Sequence, residues 1–409
     1  MVQAEAVDLS AVQENVVAAI EAERDDLIAL SRFIHAHPEI AMQETASSAA
    51  CAAFLERRGF AVERNVAGLP TAFRASVAGS GERPTIAYLA EYDALPGLGH
   101  GCGHNLIAIA GIGAGIGLRA ALNSVPGTVT VFGTPAEEAI GGKAIMSDAG
   151  IFDGIDAAMG AHPGTVEAVC PTVEGSGQAL ACQAVRIEFV GRPAHAAADP
   201  YNGINGLNAL IETFNGINAL RQHICSDARI HGIITHGGEA PNVVPSFAAG
   251  DFLIRAQTMA YMNELVEKVR RVAEGAAAMT GSEVRYLLPE RATFDMITNH
   301  TLARRIKTHL DALGLAMPEA VPEEGSGSTD WGNVSYVVPS VETGFPILDR
   351  VCTWHSPEVV EAADAAMGYE NTITVAKALA LAGLDLLTDA ALLRRVKGEF
   401  AETRAARGG

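Results

Sequence analysis

The run Gly99 to Leu106, GHGCGHNL, sets Cys102 and His104 on either side of a single glycine. Thiolate and imidazole are strong side-chain ligands for zinc-like cations. The run follows the apolar stretch TIAYLAEYD, Thr85 to Asp93, which predicts a strand, and leads into a helix predicted over Asn105 to Leu122. Ligand sites in open α/β sheets gather at this strand-to-helix edge. A Cys-x-His pair alone is weak evidence for a metal, but three later segments offer the partners it would need.

TPAEEAIGGK, Thr134 to Lys143, follows the strand pattern TVTVFGT and carries Glu137 and Glu138 side by side. Adjacent carboxylates at a strand end point in different directions, so one can ligate a cation while the other faces a substrate. An acidic helix start, favoured by the helix dipole, explains the same pair. AAMGAHPG places His162 at the end of a strand, and TWHSPE places His355 between an apolar stretch and the next helix. A lone histidine at either place is ordinarily structural. Cys102, His104, Glu138, His162 and His355 together would fall at one edge of one sheet. Five donors of sulfur, nitrogen and oxygen type exceed one tetrahedral site and suit two cations sharing a ligand. Spacing alone leaves a hydrolase with Cys102 as nucleophile and His104 as base standing beside the metal reading.

The elements that must position these residues alternate. Residues 11–31 and 45–58 read as amphipathic helices separated by HAHPEI. Strand patterns TAFRASV, TIAYLAE, TVTVFGT and AAMGAH then alternate with helices near 105–122 and 143–149, which predicts an α/β fold with a parallel or mixed sheet. A Gly/Ser/Ala stretch, 175–181, marks a boundary. Beyond it come the strand AVRIEFVG, a helix near 201–223, strands RIHGIITHGG and SFAAGDFLIRA, a helix over 259–279 and the strand EVRYLL. That order suggests a small α+β sandwich inserted at about 182–294, between a first part (1–181) and a second part (295–409) of the larger domain. Helices return after Asn299 and end with one over 364–387; the last residues, RAARGG, are expected to fray. The glycines at 97–103 and 111–117 invite a nucleotide-loop reading, but none satisfies G-x-G-x-x-G and no G-K-[ST] follows.

A chain of 409 residues with a formal charge of −19 repels phosphate backbones and anionic lipid, which argues against nucleic-acid and membrane-surface roles. The start MVQAEAVDLSAVQENVV lacks a basic segment before an apolar core, unlike a secretory signal. The best apolar run, 107–118, is short for a membrane span. Six cysteines, at 51, 102, 170, 182, 225 and 352, follow no framework spacing and read as reduced thiols of a cytoplasmic protein, with 51, 182 and 225 as small buried residues.

EYDALPGLGHGCGHNL resembles the signature of the metallopeptidases and amidohydrolases that include aminoacylase, carboxypeptidase G, auxin-conjugate hydrolases and p-aminobenzoyl-glutamate hydrolase. TPAEEAIGGK, GRPAHAAADPYNGINGLNAL, HGIITHGGEAPNVVPS and GSTDWGNVSYVVP extend the resemblance over nearly the whole chain. The last block points to the branch of p-aminobenzoyl-glutamate hydrolases and β-alanyl-lysine dipeptidase-like enzymes. Gly101, Tyr201, His236 and the SPE after His355 depart from common family residues and leave the substrate open.

The resemblance implies a mixed-sheet, phosphorylase/hydrolase-like di-metal catalytic domain with an inserted α+β lid that makes a homodimer. Cys102 would bridge two divalent ions, zinc first with manganese, cobalt or nickel as alternatives. Glu138 and His355 would complete one site, and His104 and His162 the other. Glu137 would be the general base, and Asp93 a carboxylate steadying the ligands, although on its own Asp93 is equally a turn residue before proline. His195 in RPAHAA would stabilise an oxyanion in the dimer mate's site; read alone, it is a surface histidine in a loop. Asn242, Arg255, Ser328 and Thr329 match substrate-binding positions, Arg255 by its bidentate fork for a carboxylate. The implied activity is metal-dependent hydrolysis of the amide in N-acyl-amino acids, aryl-amino acid conjugates or unusual dipeptides. A non-catalytic binding protein on the same scaffold is the rival of another class, against which the intact Glu137 argues.

Overall fold

The computed structural model describes residues 8–323 and 327–407. These form two compact units, the first from residues 8–178, 296–323 and 333–407, the second from 179–295 and 327–332. Placing all of 295–409 in the first unit therefore needs correction at 327–332. The Leu180 amide donates to the Gly327 carbonyl at 2.7 Å and Arg255 Nη1 to Ser328 Oγ at 2.9 Å, so this short polar segment finds its partners in the second unit.

In the first unit β1 (Ala61–Arg64), β2 (Phe73–Ala78), β3 (Thr85–Ala90), β4 (Thr128–Gly133) and β5 (Ala157–Gly164) are joined late in the chain by one more strand, Ser340–Pro346. The order is β1-β2-β4-β3-β5 and then Ser340–Pro346. β4, β3, β5 and Ser340–Pro346 run parallel; β1 and β2 are antiparallel additions at the other edge. Every residue of β3 is buried, as a parallel strand covered on both faces should be. Because the four parallel strands share one direction, the loops that follow them emerge at one edge, which is where all five predicted donors lie.

The helix His104–Ala121 crosses this sheet almost wholly buried, and its glycines set how closely it lies. A Cβ on Gly111 would come 2.4 Å from the Leu89 carbonyl oxygen of β3. On its other side Gly113 and Gly117 face Ala376 and Ala380 of the helix Ala366–Thr388, and Tyr88 Oη donates to the Leu379 carbonyl at 3.1 Å. This helix is long and apolar enough to cross a membrane, contrary to the reading of 107–118 as too short, but 89% of it is packed inside the protein. It is a core helix of a sheet.

Other boundaries shift for local reasons. The stretch 11–31 is two helices, Leu9–Ala22 and Arg24–Ala36, broken at Glu23. Of the end expected to fray, 404–406 close a helix, Ala390–Ala406, and 408–409 lie outside the described residues; the helix is started by Asp389 Oδ1, which accepts the Ala391 and Leu392 amides. Only Leu392 and Val396 of it are buried, so its apolar period is too thin to read from sequence. Cys225 is exposed and Cys182 half-buried rather than in the core; all six cysteines are free thiols.

The second unit holds β6 (Ala181–Val190), β7 (Arg229–His236), β8 (Phe247–Ala256) and β9 (Glu283–Leu287), so the late strand of the first sheet, Ser340–Pro346, is β10. Its sheet is antiparallel throughout, in the order β7-β8-β6-β9. Burial alternates strictly along β6, and the helices Gly206–Leu220 and Met259–Thr280 contribute to the core beneath its buried face. β7 is an edge strand, with Ile233 and Ile234 exposed.

Gly111→Ala should destabilise the first unit by about 1–3 kcal/mol, the usual range for overpacking, because its new methyl meets backbone that cannot turn aside. Gly275→Ala, on the helix Met259–Thr280 with nothing within 4 Å of its Cβ, should be neutral or slightly stabilising. Chemical denaturation of both variants checks the contrast; an unchanged midpoint for Gly111→Ala would refute close helix–sheet contact there.

Candidate active site

Each donor sits where a parallel strand ends. After β3 the chain turns through Gly103, whose φ of +79° puts it in the left-handed region and whose Cβ would lie 2.7 Å from Pro163 Cγ. A side chain there is excluded on both counts. This turn leaves Cys102 just outside the helix and makes His104 its first residue, fully buried. After β4, Ala136 takes a positive φ of 61° and its carbonyl accepts the Gly141 amide at 2.9 Å. The next helix begins only at Gly142, so Glu137 and Glu138 occupy a turn and not a helix start. His162 lies near the end of β5, and His355, with φ of 58°, in the loop after β10.

The donors converge. Ligand atoms of Cys102, His104 and His162 lie within 4.8 Å of one another, as do those of Cys102, Glu138 and His355, and those of His104, Glu137 and Glu138. Cys102 Sγ is 3.3 Å from His162 Nε2 and His355 Nε2 is 3.6 Å from Glu138 Oε1. Adjacent corners of a tetrahedron with bonds of about 2.0–2.3 Å are separated by about that much. His104 Nε2 is 3.7 Å from the same Glu138 oxygen, so the two trios adjoin.

The surrounding bonds aim the free atoms inward. His104 Nδ1–H donates to Asp93 Oδ1 at 2.9 Å and His162 Nδ1–H to the Pro163 carbonyl at 2.7 Å, so both rings present Nε2 to the cluster. Asp93 is buried and its other oxygen accepts the Glu138 amide at 3.0 Å, which excludes a simple turn role. Trp354 Nε1–H donates to Cys102 Sγ at 3.3 Å. Buried His104 Nε2 and Glu138 Oε1 have no hydrogen-bond partner. Two orphaned polar atoms of this kind are costly unless a proton or a cation lies between them. The donor set and this geometry fit a pair of divalent cations.

Electrostatics agree. Burial opposes the charged form of Asp93, but the His104 imidazolium beside it holds the carboxyl below its ordinary range. Burial likewise opposes charge on His104, yet Asp93 and Cys102 raise its affinity for a proton well above the usual imidazole value. His162 is shifted up by Cys102 against its own burial.

Four residues packed around the cluster escaped the sequence reading. Glu91 is buried, 3.5 Å from His104 Nε2 and ion-paired to Lys143 Nζ at 2.7 Å; Lys143 is fully buried. The signals were a charge closing an apolar strand run and a lysine after a Gly-Gly pair. Trp354 precedes His355 unremarked in TWHSPE, and Glu44 lies in a stretch read only as a helix boundary. Burial, mainly, pushes the Glu44 carboxyl up to about 7.

The remaining predicted residues belong to the second unit. His195 is exposed, and its Nδ1 accepts the Ala197 and Ala198 amides at 3.2 and 3.1 Å, which leaves Nε2 as the N–H of the neutral ring. The Ala196 amide donates to the Asn242 carbonyl at 3.0 Å, so His195 and Asn242 are neighbours. Arg255 and Ser328 are bonded as described, with Thr329 adjacent.

The family model for peptidase family M20/M25/M40 matches residues 87–378. The mouse Xaa-Arg dipeptidase is 37% identical over 97% of this chain and 93% of its own length. A p-aminobenzoyl-glutamate hydrolase polypeptide of Escherichia coli is 31% identical over 93% of each. Among solved structures, a dinuclear metal-binding M20 peptidase of Bacillus subtilis shares the fold with a TM-score of 0.62, at 23% identity over 87% of this chain and 98% of its own. A Staphylococcus aureus putative aminohydrolase reaches 0.76 at 18% identity, covering 92% and 100%. With the family model and these relatives in agreement, this chain belongs to the M20/M25/M40 peptidase family, hydrolases of amide bonds.

Proposed function

We propose that the protein is a dinuclear, metal-dependent amidohydrolase that cleaves dipeptides or N-acyl-amino acids, with zinc as its metal, acting as a cytoplasmic homodimer. The observation that carries this reading is the pair of donor trios sharing Cys102, with Glu137 beside them. Cys102, Glu138 and His355 would hold one cation and Cys102, His104 and His162 the other. Bound there, the two ions would supply Lewis acidity toward a scissile carbonyl and the attacking water. Glu137 takes the proton from that water as it attacks and returns it to the departing amine. His195, with Nε2–H fixed by its own loop, donates to the developing oxyanion. Arg255 suits a substrate carboxylate, with Asn242, Ser328 and Thr329 as further binding positions.

Two observations favour a substrate with a cationic side chain. One is the identity to a mammalian Xaa-Arg dipeptidase. The other is a cavity of about 630 Å³ that includes His162 and is lined by Glu167, Glu319, Glu323 and Glu342, with no lysine or arginine among its described lining residues. A panel of Xaa-Arg and Xaa-Lys dipeptides, p-aminobenzoyl-glutamate and N-acetyl amino acids, assayed with zinc or manganese added, tests this. Cleavage of only the glutamate conjugate would overturn the cationic preference. Inactivation by thiol alkylation of protein that chelation leaves fully active would favour Cys102 as nucleophile.

Glu137→Gln should keep both metals and lose on the order of 10²–10⁴-fold in kcat, the contribution of a positioned acid–base group. If that variant loses metal while Glu138→Gln retains it, the two roles are reversed. Metal uptake should release protons, since burial fails to keep His104 neutral against Asp93 and Cys102 and its raised proton affinity must be overcome. Affinity should therefore fall as pH falls; calorimetry in buffers of different ionisation enthalpy reads the release, and a pH-independent affinity would contradict it.

The exposed edge of β7, with Ile233 and Ile234, supports dimerisation through the second unit. Mixing inactive Glu137→Gln and His195→Ala proteins, with subunit exchange shown by tagged co-purification, should restore partial activity. Exchange without recovery would rule out His195 acting on a partner's site.

A further inference from the structure

The Glu137 backbone sits between two amides, each held by a buried carboxylate. On one side Asp93 Oδ2 accepts the Glu138 amide at 3.0 Å. On the other, Glu44 Oε1 accepts the Ala136 amide at 2.9 Å. Glu44 is fully buried; its second oxygen accepts the Thr71 hydroxyl at 2.9 Å, and its own carbonyl accepts the Ser48 amide at the start of the helix Thr45–Arg57. Ala136 is held at a positive φ of 61°, a conformation a non-glycine residue keeps only when its surroundings impose it. Its carbonyl closes the turn on Gly141, and the Cβ that any other residue would bring at Gly142 would lie 1.9 Å from the Pro135 carbonyl oxygen. The turn is thus tight, and the Ala136 amide has its acceptor in a side chain from a distant helix start.

We propose that Glu44 is a positioning residue for Glu137, fixing the turn that aims it by accepting the Ala136 amide. The proposal rests on reading Glu137 as the general base. Asp93 also holds His104, so its loss disturbs ligands and base together. Among the described residues, the Glu44 carboxylate oxygens take their bonds from Thr71 and Ala136 and not from the five donors. Its removal therefore separates the aim of the base from the binding of metal. An acceptor, more than a charge, is what the turn requires.

The test compares full-length, zinc-loaded wild type, Glu44→Ala and Glu44→Gln by metal content, by amide hydrogen exchange, and by kcat and KM on the panel dipeptide that the wild type cleaves. Glu44→Ala should exchange at least tenfold faster in the segment 134–141, with the helix His104–Ala121 unchanged, and should keep its metals. Its kcat should fall about 10–100-fold with KM within about threefold, as for misplacement of a catalytic group by about an ångström. Glu44→Gln, which retains an acceptor oxygen, should stay within about threefold of wild type. Unchanged exchange at 134–141, an unchanged kcat, or Glu44→Gln as impaired as Glu44→Ala would each overturn the proposal. So would faster exchange spread evenly over the first unit, which marks general destabilisation. If the wild type cleaves nothing in the panel, the functional reading fails, while the exchange data still decide whether Glu44 anchors the turn.

Discussion

Asp93 is the constraint on which the rest of the site depends. Its two oxygens serve two different strand ends, His104 Nδ1 after β3 and the Glu138 amide after β4. One carboxylate therefore fixes the direction of a nitrogen donor and the path of the chain carrying an oxygen donor. A buried carboxylate is tolerated only with such partners, and here the partners are the ligand-bearing segments themselves. The same bond that makes Asp93 stable also turns His104 Nε2 toward the cluster.

Charge is balanced locally around this point. Glu91 and Asp93 are buried beside His104, and Lys143 supplies a fully buried cation against Glu91. Without Lys143, Glu91 would leave an uncompensated anion next to the candidate metal site, and its carboxylate would compete as a ligand. The ion pair holds it back. Such pairs add little net stability but fix which groups remain available.

The scaffold places these groups by close packing. Glycines on the helix His104–Ala121 allow it to lie against β3 on one side and the helix Ala366–Thr388 on the other, so the first residue of that helix, His104, is set by a rigid interface. Parallel strands then bring the loops after β3, β4, β5 and β10 to one edge. Residues as far apart in the chain as Cys102 and His355 meet for that reason.

The sequence by itself determined the donor types, their position after apolar strands, and the alternation that makes an α/β unit with a second α+β unit. The candidate cluster of Cys102, His104, Glu138, His162 and His355 was legible because each punctuates a run of apolar residues with a chemically distinctive one. Period and spacing are local properties, and they survive in a linear reading. What only the tertiary structure decided is which groups support the donors. Asp93 could equally have been a turn residue, Glu137 and Glu138 a helix start, and Glu44 carried no local sign of its bond to Ala136, 92 positions away. The same holds for 327–332, a short polar segment whose partners lie in the second unit, and for the final helix, whose thin apolar face is given meaning by what it packs against. Hydrogen bonds between distant segments have no period, so they leave no pattern in the chain until the fold closes them.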